Sequence, residues 1–122
     1  MSGYITVEEL CVNIMKGINI DVFYLINENK GIFKSEIIRK FQQYDPEGNA
    51  SVSKYRHKVD VAIATLIGAA FIESRDAGRK DQFFLTPYGE EAVKVLGDLL
   101  DKDPSILFGS IIVVNLNSIM EG

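Results

Sequence analysis

Apolar positions recur at steps of three and four through most of this chain, a pattern that changes after Ile72. Over residues 6–18, Val7, Leu10, Cys11, Ile14 and Met15 line one helical face, and Thr6 and Glu9 have capping-box spacing. Gly17 and Asn19 end or weaken that helix. A second run from Asp21 to Asn29 carries Val22, Phe23, Leu25 and Ile26 and stops at Asn29-Lys30-Gly31. Ile32 and Phe33 are long enough for a stub of strand. Residues 34–42 read as a third helix, with Ile37, Ile38 and Phe41 inward and Lys34, Arg39 and Lys40 outward. Residues 43–50 form a loop in which Asp45-Pro46-Glu47-Gly48 has type I turn order.

Residues 51–72 read as one helix of two halves. Val52, Tyr55, Val59, Ile63, Leu66 and Ala70 make its inner face. Its first half is otherwise polar and basic: Ser53, Lys54, Arg56, His57 and Lys58. Its second half is small and apolar, with Val61, Ala62, Ala64, Gly68 and Ala69, and is expected to be buried. Asn49, Ser51 and Ser53 are its candidate caps. Residues 70–75 and 82–85 are strand candidates around the polar tip Asp76-Ala77-Gly78-Arg79-Lys80-Asp81, which is a β-hairpin signal. Thr86-Pro87 places a cap and a first-turn proline at the head of a helix that runs to about Asp101. Residues 103–122 begin with a second cap-and-proline pair, Asp103-Pro104. Phe108, Ile111, Ile112, Leu116, Ile119 and Met120 fit a helical stripe, although the β-branched run from Ile111 to Val114 would also suit a strand.

The totals fit one domain of 122 residues with a real core, since 47% of the residues are hydrophobic. A single Cys11 and a single His57 leave no disulfide and no zinc cluster to build, so no metal or cofactor is expected and a reducing, cytoplasmic setting is. Cys11 reads most simply as a small core residue. No signal peptide is apparent. Residues 104–120 are uncharged, but their serines and asparagines make a poor membrane span. So apolar a segment on so small a domain is expected to pack, with the first helix, against a second copy of the chain. The net charge of −4 argues against nucleic acid until its distribution is considered. Residues 30–58 hold seven Lys and Arg against three acids, while the flanking regions are acidic. A local basic face on an acidic body suits a directed electrostatic contact.

The order helix, helix, stub, helix, loop, long helix, hairpin, helix resembles the winged helix-turn-helix family of bacterial and archaeal DNA-binding regulators. Three pieces carry the resemblance, over roughly residues 20–100. Gly31-Ile32-Phe33-Lys34-Ser35-Glu36-Ile37-Ile38-Arg39-Lys40-Phe41 is similar to a supporting helix. Residues 59–73 are similar to the end of a recognition helix running into the first wing strand. Phe84-Leu85-Thr86-Pro87-Tyr88-Gly89-Glu90-Glu91-Ala92 is similar to the second wing strand turning into the next helix, and its Leu-Thr-Pro-x-Gly is the most specific of the three. The chain departs from the family in the turn before the recognition helix, where residues 43–50 replace about three or four residues.

The resemblance implies a mainly α fold with a small β-hairpin wing (α+β), a winged helix-turn-helix to which this chain adds extra N- and C-terminal helices. The N- and C-terminal helices lie outside the match, and it is the apolar segment, not the resemblance, that makes residues 103–122 the expected dimerisation helix. The resemblance implies contact regions by position. Ser51, Ser53, Lys54, Tyr55, Arg56, His57 and Lys58 would sit at the exposed end of the recognition helix, where Arg and Lys meet guanine edges or phosphates. Tyr55 also lies on the apolar stripe, so a core role stands beside a base contact. Arg75, Arg79 and Lys80 would be the wing, and Lys34 and Ser35 would meet a phosphate at the start of the supporting helix. The expected function is sequence-specific double-stranded DNA binding as a homodimer, by a transcriptional repressor or by a centromere- or origin-binding factor of a plasmid or phage. The alternative is a winged-helix protein-interaction module that does not touch DNA. With no phosphate loop, metal cluster or nucleophile–base pair apparent, an enzyme is not expected. The residues name no small-molecule effector.

Overall fold

A computed structural model describes residues 5–48 and 50–116. Helices α1 (Val7–Ile14) and α2 (Ile18–Glu28) precede a two-residue strand, β1 (Ile32–Phe33). Then come α3 (Lys34–Tyr44), α4 (Val52–Gly68), the hairpin β2 (Ile72–Asp76) and β3 (Asp81–Leu85), α5 (Pro87–Lys102) and a 3-10 turn (Pro104–Leu107). The architecture is α+β: mainly helical, with one small antiparallel sheet in the order β1-β3-β2. Among the described residues no helix is long and apolar enough to cross a membrane.

The element boundaries have local causes. The Thr6 hydroxyl accepts the Glu9 amide at 3.1 Å and so caps α1. Helix α2 starts at Ile18, earlier than the pattern predicts, so Asp21 lies in its first turn rather than at its cap. Later in the chain Thr86 joins two elements. Its hydroxyl accepts the Gly89 amide at 2.9 Å, capping α5, and donates to the Ala70 carbonyl at 2.6 Å. Ala70 closes α4 in the left-handed conformation, φ +63°, with the Phe71 amide returning to the Leu66 carbonyl at 3.0 Å. A Cβ at Gly89 would overlap the Phe71 carbonyl oxygen. The Leu-Thr-Pro-x-Gly run is therefore the clasp between the end of α4 and the start of α5.

The core is continuous through these elements. Tyr55 stacks on Phe41, with ring centroids 5.2 Å apart, and Phe71 packs against Phe23 and Tyr88. Burial pushes the Cys11 thiol up to about 11, with Glu8 adding to it, which keeps it protonated within the core. Of β2 only Ile72 is buried, so the hairpin projects from the helical body.

Two expectations are corrected. The second half of α4 is not buried all round. Tyr55, Val59, Ala62, Ile63 and Leu66 face inward, but Val61 and Ile67 are 50% and 43% exposed. The helix packs on α2 and α3, which cover one side only. The C-terminal segment is not one helix from residue 103. Asp103 caps a single 3-10 turn through the Ser105 amide at 3.2 Å, and the chain then turns at Gly109, φ +88°. Beyond that turn the path is set by Asp21, which is fully buried. Its carboxylate accepts the Ser110 hydroxyl at 2.7 Å, the Ile111 amide at 2.7 Å and the Val113 amide at 2.9 Å. These bonds hold the segment in place, and the one from Val113 satisfies the first amide of a short helical turn at 113–116, whose next amide, that of Val114, donates to the Ser110 hydroxyl at 3.1 Å. The rest of the expected dimerisation helix, residues 117–122, lies outside the described residues.

Candidate nucleic-acid interface

Three elements bring their polar ends to one side of the molecule. Helix α3 begins where the sheet leaves it, directly after Phe33. Phenylalanine has no side-chain acceptor, and Glu36 takes only the Phe33 amide at 3.0 Å, so the first-turn amides of α3 have no side-chain cap. Around this helix start lie two clefts. One, of about 340 Å³, is lined by Phe33, Lys34, Ser35, Arg79, Lys80, Asp81 and Phe83. The other, of about 250 Å³, is lined by Lys34, Ser35, Ile38, Val52 and Arg56. The two meet at Lys34 and Ser35. They form a trough that runs from the hairpin tip, across the start of α3, to the first turns of α4.

The trough has an apolar floor and a cationic rim. Lys80 holds its ammonium 5.8 Å above the centre of the Phe33 ring. Arg56, His57 and Lys58 are exposed on α4 and, with Arg79 and Lys80, form no ion pair among the described residues. Lys34 is partly neutralised by Asp60, 2.9 Å away, and both side chains are nearly half exposed. Water screens such a pair, which makes it easily exchanged for a phosphate.

Other candidates sit elsewhere. Tyr55 is 1% exposed, stacked on Phe41, and donates its hydroxyl to Asp45 at 2.5 Å. Its assignment as a base contact is corrected: it belongs to the core, because the inner stripe of α4 begins at its second turn. Lys54 is committed to the same carboxylate at 2.9 Å, with Glu47 at 3.9 Å. The Tyr55 hydroxyl, and after it the Lys54 ammonium, hold the Asp45 carboxyl below its usual range, and that bond raises Lys54 in turn. The long turn before α4 is thus tied to the helix it precedes. Ser51 stands at the cap position of α4, yet its hydroxyl meets that of Ser53 at 2.9 Å rather than a backbone amide. Arg75 lines neither cleft. It pairs with Glu73 at 2.9 Å and lies over the Phe84 ring at 4.2 Å. Sequence position alone did not reveal Asp45 and Asp60, the acids that neutralise two of the candidate lysines. The i,i+4 pattern along one helix carries no sign of either pair, since Lys34 and Asp60 lie on different helices and Asp45 lies in the turn before α4.

No protein-family model matches the chain, and no curated protein matches it.

Proposed function

We propose that this protein binds double-stranded DNA as a winged helix-turn-helix, with α3 as supporting helix, the exposed end of α4 as reading helix and the β2–β3 hairpin as wing. One observation carries the reading: the trough joins the hairpin tip, the uncapped start of α3 and the first turns of α4 into one cation-rimmed surface. Phosphates would lie along Lys34, Ser35 and the amides that open α3, with Arg79 and Lys80 following the backbone beside them. Arg56, His57 and Lys58 are the base-reading candidates, Arg56 best suited to a guanine edge. A homodimer acting as a transcriptional regulator, or as a centromere- or origin-binding factor, is the role that fits such a reader.

Duplex binding measured by fluorescence anisotropy over a series of salt concentrations tests this. Replacing Arg56, Lys58, Arg79 and Lys80 together by Ala should lower affinity by about a hundredfold or more. The salt slope should fall by roughly one for each phosphate that the variant no longer neutralises. Unchanged binding in that variant would overturn the proposed surface. A second reading, a protein-interaction module without DNA, is favoured by the exposed Val61 and Ile67 on α4. Failure to retain random duplex at low salt would favour it.

A further inference from the structure

We propose that the free edge of β2 is a self-association surface on which two copies of this chain pair, β2 against β2, antiparallel, with Ser74 on the two-fold axis. The sheet order β1-β3-β2 leaves β2 with one unpaired edge, and β2 is exposed beyond Ile72. Such an edge is a template for another strand unless it is blocked. No proline blocks it, and its charges, Glu73, Arg75 and Asp76, oppose only a strand that does not match them.

The backbone phase is set by the hairpin. The Thr86 amide donates to the Phe71 carbonyl at 3.1 Å and the Ala77 amide to the Lys80 carbonyl at 2.9 Å. In an antiparallel ladder bonded pairs alternate, so Glu73 and Arg75 spend their backbone groups on β3. Those of Ile72, Ser74 and Asp76 point outward. A partner strand must match outward residues with outward residues, which leaves only a few registers. Centring on Glu73 places two glutamates opposite one another, and centring on Arg75 places two arginines. Centring on Ser74 places each Glu73 opposite the partner's Arg75, twice over, at the non-bonded positions where side chains come closest. Within one copy the two already pair at 2.9 Å, but Arg75 is 60% and Glu73 45% exposed, so this screened pair can exchange for the two cross-strand ones. At the body end of β2 the neighbouring surface is small and open, with Gly68 and Ala70 exposed and nothing within 4 Å of a Cβ built on Gly68.

This edge lies across the sheet from β1 and α3, so pairing leaves the trough of each copy uncovered. The two-fold axis is normal to the sheet, and both troughs then open to the same side. Five interstrand steps of about 4.8 Å hold the two β1 strands roughly 24 Å apart. The pairing is independent of whether the trough takes DNA, and its test uses no DNA.

Light scattering of the full chain should give a mass rising from 13.6 kDa toward twice that value as concentration approaches about 0.5 mM, because so short an edge makes a weak interface. Glu73→Arg or Arg75→Glu alone should weaken association about tenfold, and the double exchange Glu73→Arg with Arg75→Glu should restore it. Ser74→Pro should abolish association while sparing the hairpin, because the Ser74 amide serves only the free edge. A thermal melt of that variant reports whether the hairpin still folds, and the charge exchange decides the matter if it does not. A mass that stays at 13.6 kDa throughout overturns the proposal. So does association that ignores the Glu73 and Arg75 exchanges but is lost in Phe108→Ser, since Phe108 is 90% exposed at the C-terminal turn.

Discussion

Two buried aspartates fix two different segments of this molecule by different means. Asp45, at the turn between α3 and α4, faces side chains: the Tyr55 hydroxyl and the Lys54 ammonium. Asp21, on α2, faces the main chain of residues 110–113 and has no cation among its partners. The first carboxylate is held ionised below its usual range. The second is raised by burial, against the pull of the amides and the Ser110 hydroxyl that it accepts from. A carboxylate with a cation anchors a charged helix end beside the trough. A carboxylate with only amides and a hydroxyl serves as a cap for a segment far away in sequence. The same residue type thus performs an electrostatic task in one place and a hydrogen-bonding task in the other.

The largest test of this difference is Asp21→Ala. It removes three hydrogen bonds from buried or half-buried donors and should cost on the order of 3 kcal/mol. We expect a fall in Tm of roughly 10 °C and early proteolytic cleavage near residue 110, with the amide exchange of residues 52–56 in the remaining folded protein unchanged. Faster exchange there would erase the separation of the two regions.

Tyr55→Phe should have a smaller effect on Tm. It leaves Asp45 with Lys54 alone and keeps the stack on Phe41. Its consequence should fall on α4, seen as faster amide exchange over residues 52–56. No change in exchange there would show that Lys54 alone anchors the helix end.

The smallest effect is the pH dependence, and its sign differs between the two. Because Asp45 is lowered in the folded state, its contribution is present above the ordinary 3.8 and is lost as pH falls below it. Because Asp21 is raised, the folded state holds that proton more tightly than the unfolded chain. Stability from this group therefore increases as pH falls toward 3.8. Urea titrations at about pH 6, 4 and 3 should show the advantage of the wild type over Asp45→Asn shrinking at the acid end. Its advantage over Asp21→Asn should grow between the first two points. Parallel curves would mean that neither carboxylate titrates as its surroundings dictate.

Much of the fold was legible because it rests on local rules. Thr6, Thr86 and Pro87 mark helix starts through short-range backbone bonds. The hairpin shows as two short strand candidates around a polar, glycine-containing tip, and the inner face of α4 as helical spacing. The candidate site was legible only in part. Arg56, Lys58, Arg79 and Lys80 were found as cations on predicted exposed elements, but which of them share a surface depends on how α3, α4 and the sheet pack. Tyr55 was ambiguous because one residue cannot show whether the stripe starts at the first or the second turn. The C-terminal segment misled because its apolar spacing is that of a helix, while Gly109 and a carboxylate some ninety residues earlier impose a turn.

By itself the sequence determined the kinds and order of elements as far as α5 and the helix start at Thr86-Pro87, which follow from interactions over a few residues, and the basic middle third, which follows from composition. Only the tertiary structure decided which charges are spent and which remain. It paired Lys54 with Asp45, Lys34 with Asp60 and Arg75 with Glu73, and left Arg56, Lys58, Arg79 and Lys80 unpaired among the described residues. A charge is neutralised by what lies within a few ångströms of it, and for a pair on separate elements that distance exists only once the elements have packed.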